Sequence, residues 1–126
     1  MGTTYATLKL TNLFSKSSVE VKALVDTGAT FLCIPAAVAL QLGFDIEEAA
    51  TAAVTLADGS QKRVPRLAPI EIAFSNRTYA TEAFVLGDEA LMGVLPLEAM
   101  DLLVDPVRQQ LIVNPEHPNF AVALAK

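Results

Sequence analysis

The chain has no tryptophan, one cysteine, one histidine and few aromatic residues, and its nine Lys and Arg are outnumbered by fourteen Asp and Glu. Each scarcity removes a class of chemistry. A single cysteine leaves no internal disulfide, and one histidine beside it cannot complete a Cys/His zinc cage within one chain. Ser-His-Asp or Cys-His catalysis would have to rest on His117, which lies in the Pro-rich stretch Asn114-Pro115-Glu116-His117-Pro118, far along the chain from Cys33. That spacing offers no triad logic. Cys33 reads as a small core residue and His117 as a solvated tail residue. A net charge of −5 argues against a nucleic-acid surface, which needs clustered Lys and Arg. The basic cluster Lys62-Arg63 with Arg66 reads as a solvated strand face. Apolar residues make up 52% of the chain but are scattered, and no run approaches the roughly 20 residues that cross a bilayer. The start, Met1-Gly2-Thr3-Thr4-Tyr5, has neither the basic nor the apolar region of a secretory signal, and Ala6 stands where myristoylation wants Ser or Thr. The expectation is a cytoplasmic protein with no membrane or nucleic-acid partner.

What is present is a strongly apolar chain of 126 residues, long enough for one domain spanning 1–126 with a core of its own. Its apolar fraction suits a compact fold, or one that buries further surface by self-association. The pattern is short-period with regular turn signals, which predicts β structure. Thr3 to Leu13 and Val19 to Val25 read as a hairpin, the second arm placing Val19, Val21, Ala23 and Val25 on one face and Glu20 and Lys22 on the other. Phe31 to Ile34 reads as a short strand. A helix from Pro35 to Leu42 follows, opened by proline and stopped by Gly43. Ala52–Ala57 and Gln61–Leu67 flank an Asp58-Gly59 turn, and Pro69–Phe74 and Thr78–Leu86 flank Asn76-Arg77. A helix from Pro96 to Asp101 and closing strands around Pro106 complete an all-β, barrel-like domain with one or two short helices. The tail from Pro115 is expected to be loosely held.

One stretch stands apart. Leu24-Val25-Asp26-Thr27-Gly28-Ala29-Thr30-Phe31-Leu32 sets one carboxylate between an apolar strand and a small-residue turn, with a second apolar strand after it. Apolar neighbours on both sides predict burial, and a buried ionised carboxylate is costly unless something compensates it. An Asp that caps its own turn is the plain alternative. Downstream lie the Asp58-Gly59 hairpin and then an apolar-apolar-Gly element, Leu91-Met92-Gly93, leading into a short helix.

This ordered set resembles the retropepsin-like aspartic proteases, single-domain relatives of pepsin. The resemblance runs from about Val19 to Val113 and is most specific at Ala23-Leu24-Val25-Asp26-Thr27-Gly28-Ala29. It implies a retropepsin-like barrel and an aspartic endopeptidase that hydrolyses peptide bonds through an activated water, with no metal or cofactor. Such chemistry needs two carboxylates sharing one proton, and aspartic proteases are the standard case of like charges about 3 Å apart that cannot both ionise. The chain has one Asp-Thr-Gly, so the resemblance implies a symmetric homodimer with one Asp26 from each subunit. It assigns Asp26 as the catalytic carboxylate, with Thr27, Gly28 and Ala29 supporting the active-site loop. Leu91, Met92 and Gly93 would pack beneath that loop, and the hairpin at Asp58 and Gly59 would be the flap that covers a peptide or unfolded-protein substrate. The flap here has one glycine and carries Lys62, Arg63 and Pro65 on its arms, and Val94 follows Gly93 where Arg or Asn is common. A catalytically idle dimerisation or peptide-binding module of the same fold is the other reading.

Overall fold

The computed structural model describes residues 3–123. Nine strands and two short helices follow in chain order: β1 (Thr4–Asn12), β2 (Ser18–Val25), β3 (Leu32–Ile34), α1 (Ala36–Gln41), β4 (Thr51–Thr55), β5 (Gln61–Phe74), β6 (Arg77–Val85), β7 (Ala90–Met92), α2 (Val94–Ala99), β8 (Leu102–Asp105) and β9 (Gln110–Val113). The first seven strands pair in the order β1-β2-β7-β3-β6-β5-β4, and β1 also pairs with β5. That extra pairing, Lys9↔Ala73 through Asn12↔Ile70, closes a six-stranded barrel and leaves β4 as an added outer strand.

Closure follows from the alternation of side chains. On β1, Thr4, Ala6, Leu8 and Leu10 are buried while Tyr5, Thr7 and Lys9 are exposed, so one face lines the barrel. Val21, Ala23 and Val25 do the same on β2, as expected from their spacing. Leu8, Leu10, Leu32, Ile34, Ile70, Ile72 and Met92 are wholly buried; each contributes about 1.5–3 kcal/mol of burial free energy. Helix α1 lies within the predicted Pro35–Leu42 span, and Gly43 ends it with a φ of +81°.

Three features depart from the sequence-based expectation. The two segments expected on either side of Ala68 are one 14-residue strand, β5, with a register shift between Leu67 and Ile70. Three residues of β5 there span two of β6, so the inward-facing set changes parity across the bulge. Strands β8 and β9 pair only with each other and do not close the barrel, because β1 already occupies that edge of β5. Helix α2 starts two residues before Pro96, which sits inside its first turn.

The tail is also not loose where it is described. Asp101 accepts hydrogen bonds from Asn114 Nδ2 (3.1 Å) and the Val122 amide (3.0 Å), and its Oδ2 lies 2.6 Å from His117 Nδ1. Asn76 Nδ2 donates to Pro118 O at 2.9 Å, and the buried Arg77 guanidinium donates to His117 O. His117 is therefore half-buried rather than solvated. Sequence spacing gave no hint of this, because its partner Asp101 lies just past α2, 16 residues away in the chain. Residues 124–126 of the expected tail lie outside the described residues. No helix among the described residues is long and apolar enough to cross a membrane.

Candidate active site

Asp26 stands at the end of β2, where the barrel strand gives way to the Thr27-Gly28 turn. Strand β7 runs between the two strands that enter and leave this turn. It is parallel to β2, with Val25 opposite Met92, and antiparallel to β3, with Leu32 also opposite Met92. The loop is thus gripped from both sides by one strand. The Asp26 amide donates to Met92 O (3.0 Å), and the Gly93 amide donates to Phe31 O (3.0 Å). The first amides of α2 complete the hold: Val94 N–H donates to Ala29 O at 2.8 Å and Leu95 N–H to Thr30 O at 3.0 Å. These amides would otherwise lack intrahelical partners. Leu91, Met92 and Gly93 thus lie directly against the loop.

Gly93 is required by contact. A Cβ there would sit 2.5 Å from the Thr30 carbonyl carbon and 2.7 Å from the Phe31 nitrogen, both backbone atoms that cannot yield. Within the turn, the Gly28 amide donates to Asp26 Oδ1 at 2.9 Å, and the Ala29 amide donates to Asp26 O at 3.2 Å. A Cβ on Gly28 would lie 3.2 Å from the same Oδ1. The carboxylate is therefore oriented by the backbone of its own turn. This is the turn-capping role, and it leaves Oδ2 without a partner from the turn.

The expected burial of the whole stretch does not hold for a single chain. Val25 and Leu32 are buried, whereas Asp26 is half-buried and Thr27 and Gly28 are exposed. The apolar residues on either side belong to barrel strands; the turn between them rises out of the barrel to its surface. Beside it is an open cavity of about 540 Å³ lined by Thr3, Thr4, Leu24, Val25, Asp26, Thr27, Val104 and Pro106. Among the described residues, Asp26 is the one carboxylate in that lining. Val104 and Pro106 had no place in the sequence reading of the site, because the β8–β9 hairpin reaches it only through the tertiary fold.

The Asp58-Gly59 turn joins β4 to β5 and is exposed. Gly59 has a φ of +86° with open space around its Cα, and Asp58 Oδ1 accepts from the Ser60 amide (2.9 Å) and hydroxyl (2.6 Å). Those two bonds hold the Asp58 carboxyl below the usual carboxylate range. Neither Asp58 nor Gly59 lines the Asp26 cavity. Cys33 is half-buried on β3, and burial pushes its thiol up, away from the thiolate a nucleophile needs. The His117 ring is engaged with Asp101.

A family model described as "gag-polyprotein putative aspartyl protease" matches residues 15–99, more than half of the chain. No curated protein sequence matches it closely enough to count as a relative. Among solved structures it is similar to a retropepsin-like aspartic protease from Rickettsia conorii, at 19% identity and a TM-score of 0.58, covering 82% of this chain and 88% of that one. It is similar also to the retroviral protease-like domain of Ddi1 from Leishmania major, at 18% identity and a TM-score of 0.58, covering 89% and 90%. These likenesses are of fold, a mostly β barrel with two short helices. By its sequence match, the chain belongs to this gag-polyprotein aspartyl protease family.

Proposed function

We propose that the protein is an aspartic endopeptidase whose catalytic pair is Asp26 of one subunit and Asp26 of a second copy. The observation that carries this is the lone carboxylate. Asp26 is oriented through Oδ1 by the Gly28 amide, at the surface of the barrel and beside a cavity with no other acid among the described residues of its lining. One such group cannot divide the roles of base and acid. Two, brought together across a two-fold axis, share a proton and titrate as a unit. One member takes a proton from the attacking water while the other donates to the scissile carbonyl oxygen. Thr27, exposed beside Asp26, reaches the partner's loop in this reading. Gly28 lets the backbone come close to the carboxylate, and the hold of β7 and α2 on Ala29 and Thr30 keeps the loop rigid. The Asp58-Gly59 hairpin acts as the flap over a peptide or locally unfolded protein segment.

The test is cleavage of a diverse peptide library from pH 3 to 7.5 by wild type and by Asp26→Asn, each at a concentration where it self-associates. Cuts that vanish in Asp26→Asn and follow a bell-shaped pH profile are expected. A folded dimer that cuts nothing at any pH would point to an idle peptide-binding module, a reading favoured by the polar arms of the hairpin.

A further inference from the structure

Three of the chain's nine Lys and Arg side chains fall within five positions of β5, at Lys62, Arg63 and Arg66. Their directions are set by register. Strands β4 and β5 pair Ala53 with Arg63, Ala52 with Val64 and Val54 with Lys62. Paired residues share a face, and faces alternate along each strand. Arg63 is on the face of Thr51, and its guanidinium donates to Thr51 Oγ1 (3.0 and 3.1 Å) and Thr51 O (3.2 Å). Lys62 is on the opposite face, with Val54, Ala52 and Val64.

That opposite face can be placed relative to the candidate active site. Arg66, on the same face as Val64 and Lys62, pairs with Phe84 of β6. The Phe84 ring meets Phe31 edge-on at 5.2 Å, and Phe31 ends the loop that starts at Asp26. Val64 and Phe84 are buried yet stand outside the barrel's core cluster, because the β5 bulge turns the even-numbered residues before it away from the barrel interior. The Lys62 face of the hairpin is therefore the face on which the Asp26 loop exits.

Of the two cations on this face, Arg66 has an acidic neighbour, Glu82 at 3.8 Å, and shares a cavity with Asp45 and Glu48. Lys62 lies nearer the turn. It is an exposed cation on an otherwise apolar strip of half-buried Ala52 and Val54 and buried Val64, and it has no ion-pair partner among the described residues. Asp58, the nearest acid in sequence, is engaged with Ser60.

We infer that Lys62 is a specificity-determining residue, pairing with an acidic side chain of a peptide held between the β4–β5 hairpin and the Asp26 loop. The inference rests on the proteolytic reading above and names the substrate class within it: peptides with Asp or Glu near the cut. On the overall acidic surface of this chain, a local cation beneath the hairpin attracts such a peptide and repels a basic one.

The experiment takes one peptide found to be cut and varies Asp, Asn or Lys at each position flanking the cut. Wild type, Lys62→Met and Lys62→Glu are compared, with Asp26→Asn as the blank. Wild type is expected to favour Asp over Lys at one position or more by about tenfold in kcat/KM, a preference that shrinks as ionic strength rises. Lys62→Met should level it and Lys62→Glu reverse it. Wild-type cleavage without charge preference, or a preference that survives Lys62→Glu, would overturn the inference and leave the protease reading standing. If wild type cuts nothing that Asp26→Asn spares, the protease reading fails and Lys62 loses its role with it.

Discussion

Asp26 and the two glycines around it divide the work of the loop. Gly93 makes the loop possible, since its missing Cβ is the space in which the Thr30–Phe31 backbone lies. Gly28 sets the carboxylate, since its amide holds Oδ1 and its bare Cα leaves that oxygen room. The two should therefore fail differently. Gly93→Ala is expected to cost about 2 kcal/mol or more through overpacking against backbone, read as a lower urea midpoint. Gly28→Ala should barely move that midpoint, because the residue is exposed. It should cut peptidase activity by about tenfold or more by displacing Oδ1. Equal stability losses in both would contradict this division. Asp26 and its three followers were legible in the sequence because a small-residue turn between apolar strands is a local pattern. Their exposure was not, because burial depends on what covers a turn and adjacent residues do not encode that. Phe31, Val104 and Pro106 went unread for the same reason: their places around the loop are set by pairings between distant strands.

Elements that hold the site at one end are themselves held at the other. The first amides of α2 grip Ala29 and Thr30, while Asp101, just past the helix, gathers Asn114, His117 and Val122. Asp101 adopts a φ of +55°, a left-handed conformation that Asp tolerates better than most residues. Its hydrogen bonds to Asn114 and Val122, then the nearby His117, hold its carboxyl below the usual carboxylate range. A depressed folded-state pKa means the unfolded chain binds the proton first as pH falls. The stability that Asp101 contributes is thus fully present above the ordinary carboxylate pKa and is lost as pH drops through its lowered folded value. Hydrogen exchange across residues 115–123 should accelerate on acidification into that range. In Asp101→Asn the segment should be open already at neutral pH, with little further change. A tail equally protected in both proteins would show that the clasp contributes nothing. Helix α1 and the β1–β2 and β4–β5 hairpins could be read from proline, glycine and alternation alone. The continuity of β5 could not, because Ala68-Pro69 looks like a break, and only the register with β6 shows one strand carrying a bulge.

On the scale of the whole molecule, the six-stranded barrel presents Asp26 at its surface, beside an open cavity. The closing strands expected at Pro106 instead form a separate β8–β9 hairpin whose Val104 and Pro106 border the Asp26 cavity. Leu103 and Val107 of that hairpin are exposed, as is Leu95 of α2. Exposed apolar side chains on these two elements suit the proposed pairing with a second copy. The all-β class could be read from the short-period alternation and the regular turn signals, because both are local patterns. The measurement that bears most directly on a shared site is subunit mixing. Wild type and Asp26→Asn are unfolded together, refolded at fixed total concentration in varying proportion, and assayed on one peptide. If each site needs an Asp26 from both chains, activity falls as the square of the wild-type fraction. A fall in simple proportion to that fraction would mean that each chain cuts alone, and the paired Asp26 site would be wrong.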